Sequence, residues 1–170
     1  MQKAARRMEK YINDLLEYSM ATHKPEHYKR VSLEKIVTQV LDDLSNQIKM
    51  ENATIHMQEL PILEVDPVQF PKLFQNLISN AVKYHRENVA PIINITSSFC
   101  EKTKRWQIEI SDNGIGIQEK HFERIFKPFE RLHGQSAFEG TGIGLAICEK
   151  IVSRHSGEIT VRRNQPHGTT

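Results

Sequence analysis

Hydrophobic positions change period along this chain, and each change marks an element. In residues 1–22, Met1, Ala5, Met8, Ile12, Leu15 and Ser19 recur at alternating four- and three-residue steps, the seam of a coiled coil or helical bundle. Arg6, Arg7, Glu9, Lys10, Asp14 and Glu17 lie mainly off that seam. So short a helix packs against a partner helix, supplied from elsewhere or by a second copy, or else caps the main domain. His23-Lys24-Pro25-Glu26-His27 opens a polar linker over residues 23–30, and a domain boundary falls there. Val31-Ser32 starts the next helix, with Ser32 as its cap and Val31 and Ile36 as a hydrophobic staple. Leu33, Val37, Val40, Leu41, Leu44 and Ile48 form its buried face. Ala53, Ile55 and Met57 alternate as a strand, followed by a short apolar stretch from Ile62 to Val65.

Asp66-Pro67-Val68-Gln69 is a helix start: Asp66 caps, Pro67 suits the first turn and Gln69 completes a capping box. The helix runs to about His85, with Phe70, Leu73, Phe74, Leu77, Ile78 and Ala81 on its core side. At about 100° per residue, Gln69, Asn76, Asn80 and Lys83 share a separate wedge of roughly 60°. An Asn carbonyl is a hard oxygen ligand suited to Mg²⁺, and Lys83 can meet a phosphate. Ile92, Ile93 and Ile95 to Phe99, then Trp106 to Ile110, read as neighbouring strands joined by a charged turn. Gln118 to about Phe126 reads as a short helix. Lys127 to Glu139, with Pro128, Gly134, Gln135 and Ser136, lacks periodicity and has the length of a lid. A last helix stops at Ser156-Gly157, and Glu158 to Arg163 alternates as a strand.

Two glycine runs carry the chemistry. Asp112-Asn113-Gly114-Ile115-Gly116 sets a carboxylate where the strand ends, beside glycines that let a ligand approach the main chain. Gly140-Thr141-Gly142-Ile143-Gly144-Leu145-Ala146 flows into a helix, whose N-terminus favours phosphate. One loop offers an acceptor and the other phosphate donors; a purine nucleotide needs both. Taken singly, the first run is also a common turn and the second a helix start packed through glycine. There is no Gly-x-x-x-x-Gly-Lys-Ser/Thr, and Leu145 stands where a dinucleotide fingerprint needs its third glycine.

Composition narrows this further. The 23 basic and 21 acidic residues are interspersed for a net +2, with no basic block, which argues against nucleic acid as a partner. Cys100 and Cys148 lack metal-ligand spacing and are expected to be free, mostly buried thiols in a reducing cytoplasm. No apolar run reaches the ~20 residues that span a bilayer, and no signal peptide opens the chain, so no membrane contact is expected.

Together and in this order, the motifs resemble the ATP-binding domain of sensor histidine kinases, the Bergerat-type (GHKL) fold, with the phytochrome-like group the nearest in flavour. Asn76 to Tyr84 resembles the N box, Asp112 to Gly116 the first glycine box, Phe126, Phe129 and Arg131 the F box, Gly140 to Ala146 the second glycine box and Gly168-Thr169 the third. The resemblance implies an α/β two-layer sandwich: a mixed, largely antiparallel sheet with helices on one face, plus an N-terminal bundle-type helix. It implies a cofactor of ATP or ADP with Mg²⁺ on Asn80. Nucleotide contacts are implied for Asn76, Lys83, Tyr84, Asp112, Gly114, Gly116, Ile117, Arg131, Leu132, Gly140, Thr141, Gly142, Ile143, Gly144, Leu145 and Thr169. Residues 1–22 resemble the second helix of the dimerisation and phosphotransfer bundle, residues 23–30 a linker, and 31–170 the ATP-binding domain without its last strand. The implied activity is transfer of the γ-phosphoryl group to a bundle histidine outside this chain, since none of the eight histidines precedes Glu or Asp. The implied partners are that bundle, a response regulator downstream and a second copy through residues 1–22. A serine kinase of the anti-sigma type and a nucleotide-binding module without transfer are the rival readings; the bundle-like helix argues against the first and the retained glycine boxes against the second.

Overall fold

The structure is a computed structural model describing residues 2–22, 28–132 and 140–170. Its elements run α1 (Gln2–Thr22), β1 (Lys29–Ser32), α2 (Leu33–Asp43), α3 (Ser45–Met50), β2 (Thr54–Met57), β3 (Ile62–Val65), α4 (Gln69–Lys83), β4 (Ile92–Cys100), β5 (Arg105–Asp112) and α5 (Gly144–Arg154). A mixed three-stranded sheet, ordered β2-β4-β5, pairs β2 parallel and β5 antiparallel to β4. Ile93 and Ile95 on its inner face are fully buried and cluster with Leu73, Phe74 and Ile78 of α4 and Ile147, Cys148 and Ile151 of α5. Each such aliphatic side chain contributes about 1.5–3 kcal/mol by leaving water. Helices on one face of a mixed sheet is the expected two-layer arrangement.

Register places the acid. Ile95 faces Ile110 and Ile93 faces Asp112 across the β4–β5 ladder. Side chains alternate along a strand, so Ile108, Ile110 and Asp112 share the core-facing side. The carboxylate therefore lies under α4 rather than in open solvent.

Several expectations are corrected. Val31 and Ser32 belong to strand β1, which pairs with β3 (Val31 opposite Leu63), so ordered structure already includes Lys29 and Arg30 of the expected linker. Ser32 does cap α2, accepting from Lys35 N at 3.3 Å. The long helix divides at Leu44, yet Ile48 N still reaches Leu44 O at 2.9 Å, and the apolar face continues onto the core. Asp66 holds the turn into α4, its Oδ1 accepting from Val68 N at 2.8 Å and Gln69 N at 3.2 Å. The capping box stays open, because Gln69 Oε1 is buried without a partner. Over Gln118–Phe126 only Glu119–His121 is helical, as a 3-10 turn: Phe122 N and Arg124 N bond three residues back. At the end of α5 the left-handed residue is Ser156 (φ 58°), while Gly157 N closes onto Val152 O at 2.9 Å. Residues 158–163 form no strand; one bridge joins Arg163 to Thr169. Cys148 is buried as expected, but Cys100 is exposed.

α1 meets the domain through the side away from its seam. It packs on α5 with Ala21 buried and Tyr18 against the core, and Glu17 pairs with Lys72 at 2.7 Å. The seam residues Met8, Ile12 and Leu15 face outward and are more than half exposed. Among the described residues no helix is long and apolar enough to cross a membrane.

The Asp66 cap gives a direct stability test. Asp66 is 8% exposed, and its backbone N–H also donates to His155 Nε2 at 3.0 Å. Asp66→Ala should cost about 1 kcal/mol, the usual worth of an N-cap. Urea unfolding checks this, and an unchanged midpoint would show that the cap contributes nothing.

Candidate functional site

A cavity of about 530 Å³ opens between α4, the loop after β5, residues 125–132 and the start of α5. Its far end follows Ile110 and Ile159 to Val161 along the side of β5. That size suits a nucleotide-sized ligand.

At one end stands Asp112. Its Oδ1 accepts from Gly114 N at 2.8 Å and Thr169 N at 3.1 Å, while Oδ2 is in no hydrogen bond among the described residues and Asp112 lines the cavity. Burial pushes its carboxyl above the ordinary range, and those two N–H donors partly offset the rise. The loop is tied down on its other side: Ile115 N donates to Tyr84 O at 3.0 Å, and Arg86 Nε to Asn113 O at 3.0 Å. Asn113 itself accepts from Ile92 N at 2.8 Å and donates to Ala90 O at 3.1 Å. The carboxylate thus sits on a braced loop.

At the other end the glycine turn leads into α5. Gly142 has φ +79°, and a Cβ there would lie 2.8 Å from Glu130 O, so the turn needs glycine on two counts. Phe129 N donates to Gly142 O at 2.9 Å, fixing residues 129–131 against the turn. Lys83 Nζ reaches the turn too, lying 3.0 Å from where a Gly140 Cβ would stand; it donates to Tyr84 OH at 2.9 Å. Asn76 Oδ1 faces the first residue of α5, 2.7 Å from the Cβ position of Gly144. The first turn of a helix carries unpaired N–H groups and positive partial charge, which an anion completes.

Of the residues singled out from the sequence, Asn76, Asn80, Lys83, Tyr84, Asp112, Gly116, Ile117, Arg131, Leu132, Gly140, Thr141, Gly142, Gly144, Leu145 and Thr169 line this one cavity. Three do not. Gly114 is buried behind the loop, where Tyr84 O excludes any Cβ. Ile143 is 1% exposed in the core, because the residue before the helix turns its apolar side chain inward. Gln69 lies about two turns before Asn76, the nearest other member of the wedge, and does not reach the cavity. Residues 133–139 of the expected lid lie outside the described residues.

Several contributors escaped the sequence. Asp14 and Glu17 of α1 line the cavity, and Asp14 accepts a hydrogen bond from the Thr141 hydroxyl. Their place off the bundle seam was the only available signal. Asn164 braces Asp112 from a loop with no periodicity at all.

The residues fit a magnesium nucleotide. A carboxylate with one oxygen unbonded among the described residues stands at the end where a base would lie, and an ammonium and a helix N-terminus stand at the other. Asn80 lines the cavity between them with its carboxamide in no hydrogen bond among the described residues. No group of three or more His, Cys, Asp or Glu able to hold a metal occurs among the described residues, so a cation here would rely on Asn80, phosphates and water.

Comparison with known proteins identifies the family and the fold. The sequence profile described as "Histidine kinase-, DNA gyrase B-, and HSP90-like ATPase" matches residues 65–170. Phytochrome-like protein Cph1 of Synechocystis sp. is 35% identical over 163 residues, which is 96% of this chain and 21% of that protein. The chain therefore spans about a fifth of that relative's length. The catalytic domain of histidine kinase ThkA superimposes with a TM-score of 0.70 at 27% identity, over 84% of this chain and 91% of its own. Full-length ShkA in complex with AMPPNP matches with a TM-score of 0.76 at 23% identity, over 93% of this chain and 33% of its own.

Proposed function

Because this chain belongs to the family of histidine kinase-, DNA gyrase B- and HSP90-like ATPases, we propose that it is the ATP-binding catalytic domain of a sensor histidine kinase. The observation that carries this is the pairing, in one cavity, of the Asp112 acceptor with the glycine turn at the start of α5. Residues 29–170, from β1 onward, form the nucleotide-binding unit, and α1 is the second helix of the phosphotransfer bundle, joined to it by the short linker between them. The assignment of α1 rests on the outward apolar seam of Met8, Ile12 and Leu15, which a bundle partner or a second copy would cover.

Asp112 accepts from the exocyclic amine of adenine. Guanine presents a carbonyl there, which would leave two acceptors facing each other in a buried site. Lys83, Arg131 and the N–H groups of the turn hold the phosphates, and Asn76 and Asn80 line the space between. Bound magnesium supplies charge neutralisation at the phosphates, and Asn80 is the ligand this chain offers it. The protein's work in phosphoryl transfer is positioning and electrostatics rather than covalent chemistry. No histidine is among the described residues lining the cavity, so the acceptor is a histidine on another helix. A response regulator would then take the phosphoryl group onward.

Calorimetry with Mg·ATP and Mg·GTP tests the reading. ATP should bind and GTP should bind far more weakly. At ATP a hundredfold above its Kd, melting should register about 2.7 kcal/mol of added stability. Equal affinity for the two nucleotides, or no binding, would remove the basis for the assignment.

A further inference from the structure

Resting on that adenine-nucleotide reading, we propose that Asn164 is a specificity-positioning residue: its carboxamide locks the 164–170 loop onto the end of β5, so that Asp112 presents one fixed oxygen to the base. Asp112 Oδ1 takes one N–H from its own turn, Gly114, and a second from Thr169, which is 57 residues further along the chain. Rotation about the terminal bond of a carboxylate is soft. A single local donor leaves that rotation open, and the distant Thr169 N–H closes it.

Thr169 is where it is because the loop is stapled on every side. Asp112 N donates to Thr169 O at 2.8 Å, Arg162 and Thr170 exchange backbone hydrogen bonds at 2.9 Å, and Asn164 N reaches Gly168 O at 3.1 Å. Gly168, at φ +104°, lies flat on the Asp112 carbonyl, and any Cβ there would collide with it. The Asn164 side chain joins the two halves. Its Nδ2 donates to Asp112 O at 2.8 Å and to Thr169 O at 3.1 Å, and its Oδ1 accepts from the Thr170 hydroxyl. That hydroxyl is also 2.8 Å from Ser111 Oγ.

A carboxamide has two N–H hydrogens and one carbonyl oxygen, and every one of them is used here. Asn164 does not line the cavity, so it acts through Asp112 and Thr169 and not on the ligand. An aspartate at 164 has the same shape but turns an oxygen onto two carbonyl oxygens. Repulsion then lifts the loop, Thr169 N–H leaves Oδ1, and the carboxylate swings. A swinging carboxylate can turn away from the guanine carbonyl as readily as toward the adenine amine, and discrimination falls.

The test is calorimetry of the whole chain with Mg·ATP and Mg·GTP, for the wild type, Asn164→Asp, Asn164→Ala and Val40→Ala. Asn164→Asp should cut the ATP-over-GTP affinity ratio by about tenfold or more, the scale expected when a buried polar match is lost. Asn164→Ala, which removes the staple without adding repulsion, should cut it in the same direction by less. Val40→Ala loosens the α2 core away from the loop and should leave the ratio as it is, which separates positioning from general destabilisation. Two Asn164 variants that keep the wild-type ratio would overturn the proposal while leaving the nucleotide reading intact. A wild-type chain with no preference for ATP would overturn both.

Discussion

Asp112→Asn is expected to weaken ATP binding by about five- to 150-fold, about 1–3 kcal/mol, while raising the melting temperature of the nucleotide-free protein. The two effects have one cause. Asp112 stands on the core-facing side of β5, and burial raises its carboxyl above the ordinary range despite the N–H donors of Gly114 and Thr169. A folded pKa above the unfolded one means that the stability this group contributes is full in acid. It is lost as pH rises through the folded value. At neutral pH the ionised Asp112 therefore costs stability, and the amide removes that cost. The gain should shrink as pH falls through the raised pKa toward the unfolded range, where wild type and variant converge. Binding follows the opposite sense: on the proposed reading the carboxylate is the acceptor for adenine, so wild-type affinity should fall as acid protonates it. Asparagine keeps one acceptor for the two backbone N–H groups but can turn an NH₂ toward the adenine amine, donor against donor. Melts with and without ATP at neutral and acid pH measure both effects. A variant that loses stability and keeps its affinity would mean that Asp112 is a structural acid and not a recognition group.

Much of this site was legible because its chemistry is local. The alternation Trp106, Ile108, Ile110 carries its face forward by two, and so sets Asp112 against the core. The wedge of Asn76, Asn80 and Lys83 follows from helical spacing alone, and all three line the cavity. What stayed hidden depends on neighbours. β1 contains exposed Lys29 and Arg30, and only its pairing with β3 makes it a strand. Residues 158–163 alternate as a strand should, yet no ladder forms beside them beyond one bridge. The break at Leu44 leaves the apolar face unaltered, so periodicity is blind to it. Which side of α1 meets the domain cannot be read from a stripe, and that choice brings Asp14 to Thr141. Asn164 lies in a loop whose role arises from contact with a residue 52 positions away.

The second large effect concerns transfer rather than binding. On the proposed reading this chain supplies the phosphate cradle, and the nucleophile is a histidine on a separate bundle helix, since none of its own eight histidines precedes Glu or Asp. Holding a nucleophile in line with the γ-phosphate is worth roughly 7–11 kcal/mol, so its absence should reduce labelling to background. A helical bundle carrying an acceptor histidine should restore that alignment by seating its seam on the exposed Met8, Ile12 and Leu15. The decisive measurement is incubation with γ-labelled Mg·ATP, with and without such a bundle added as a separate chain. The expected result is an unlabelled chain alone, and acid-labile phosphohistidine on the bundle when both are present. Acid-labile label on this chain alone, at a rate independent of protein concentration, would contradict it, as would a bundle that stays unlabelled while ATP is demonstrably bound.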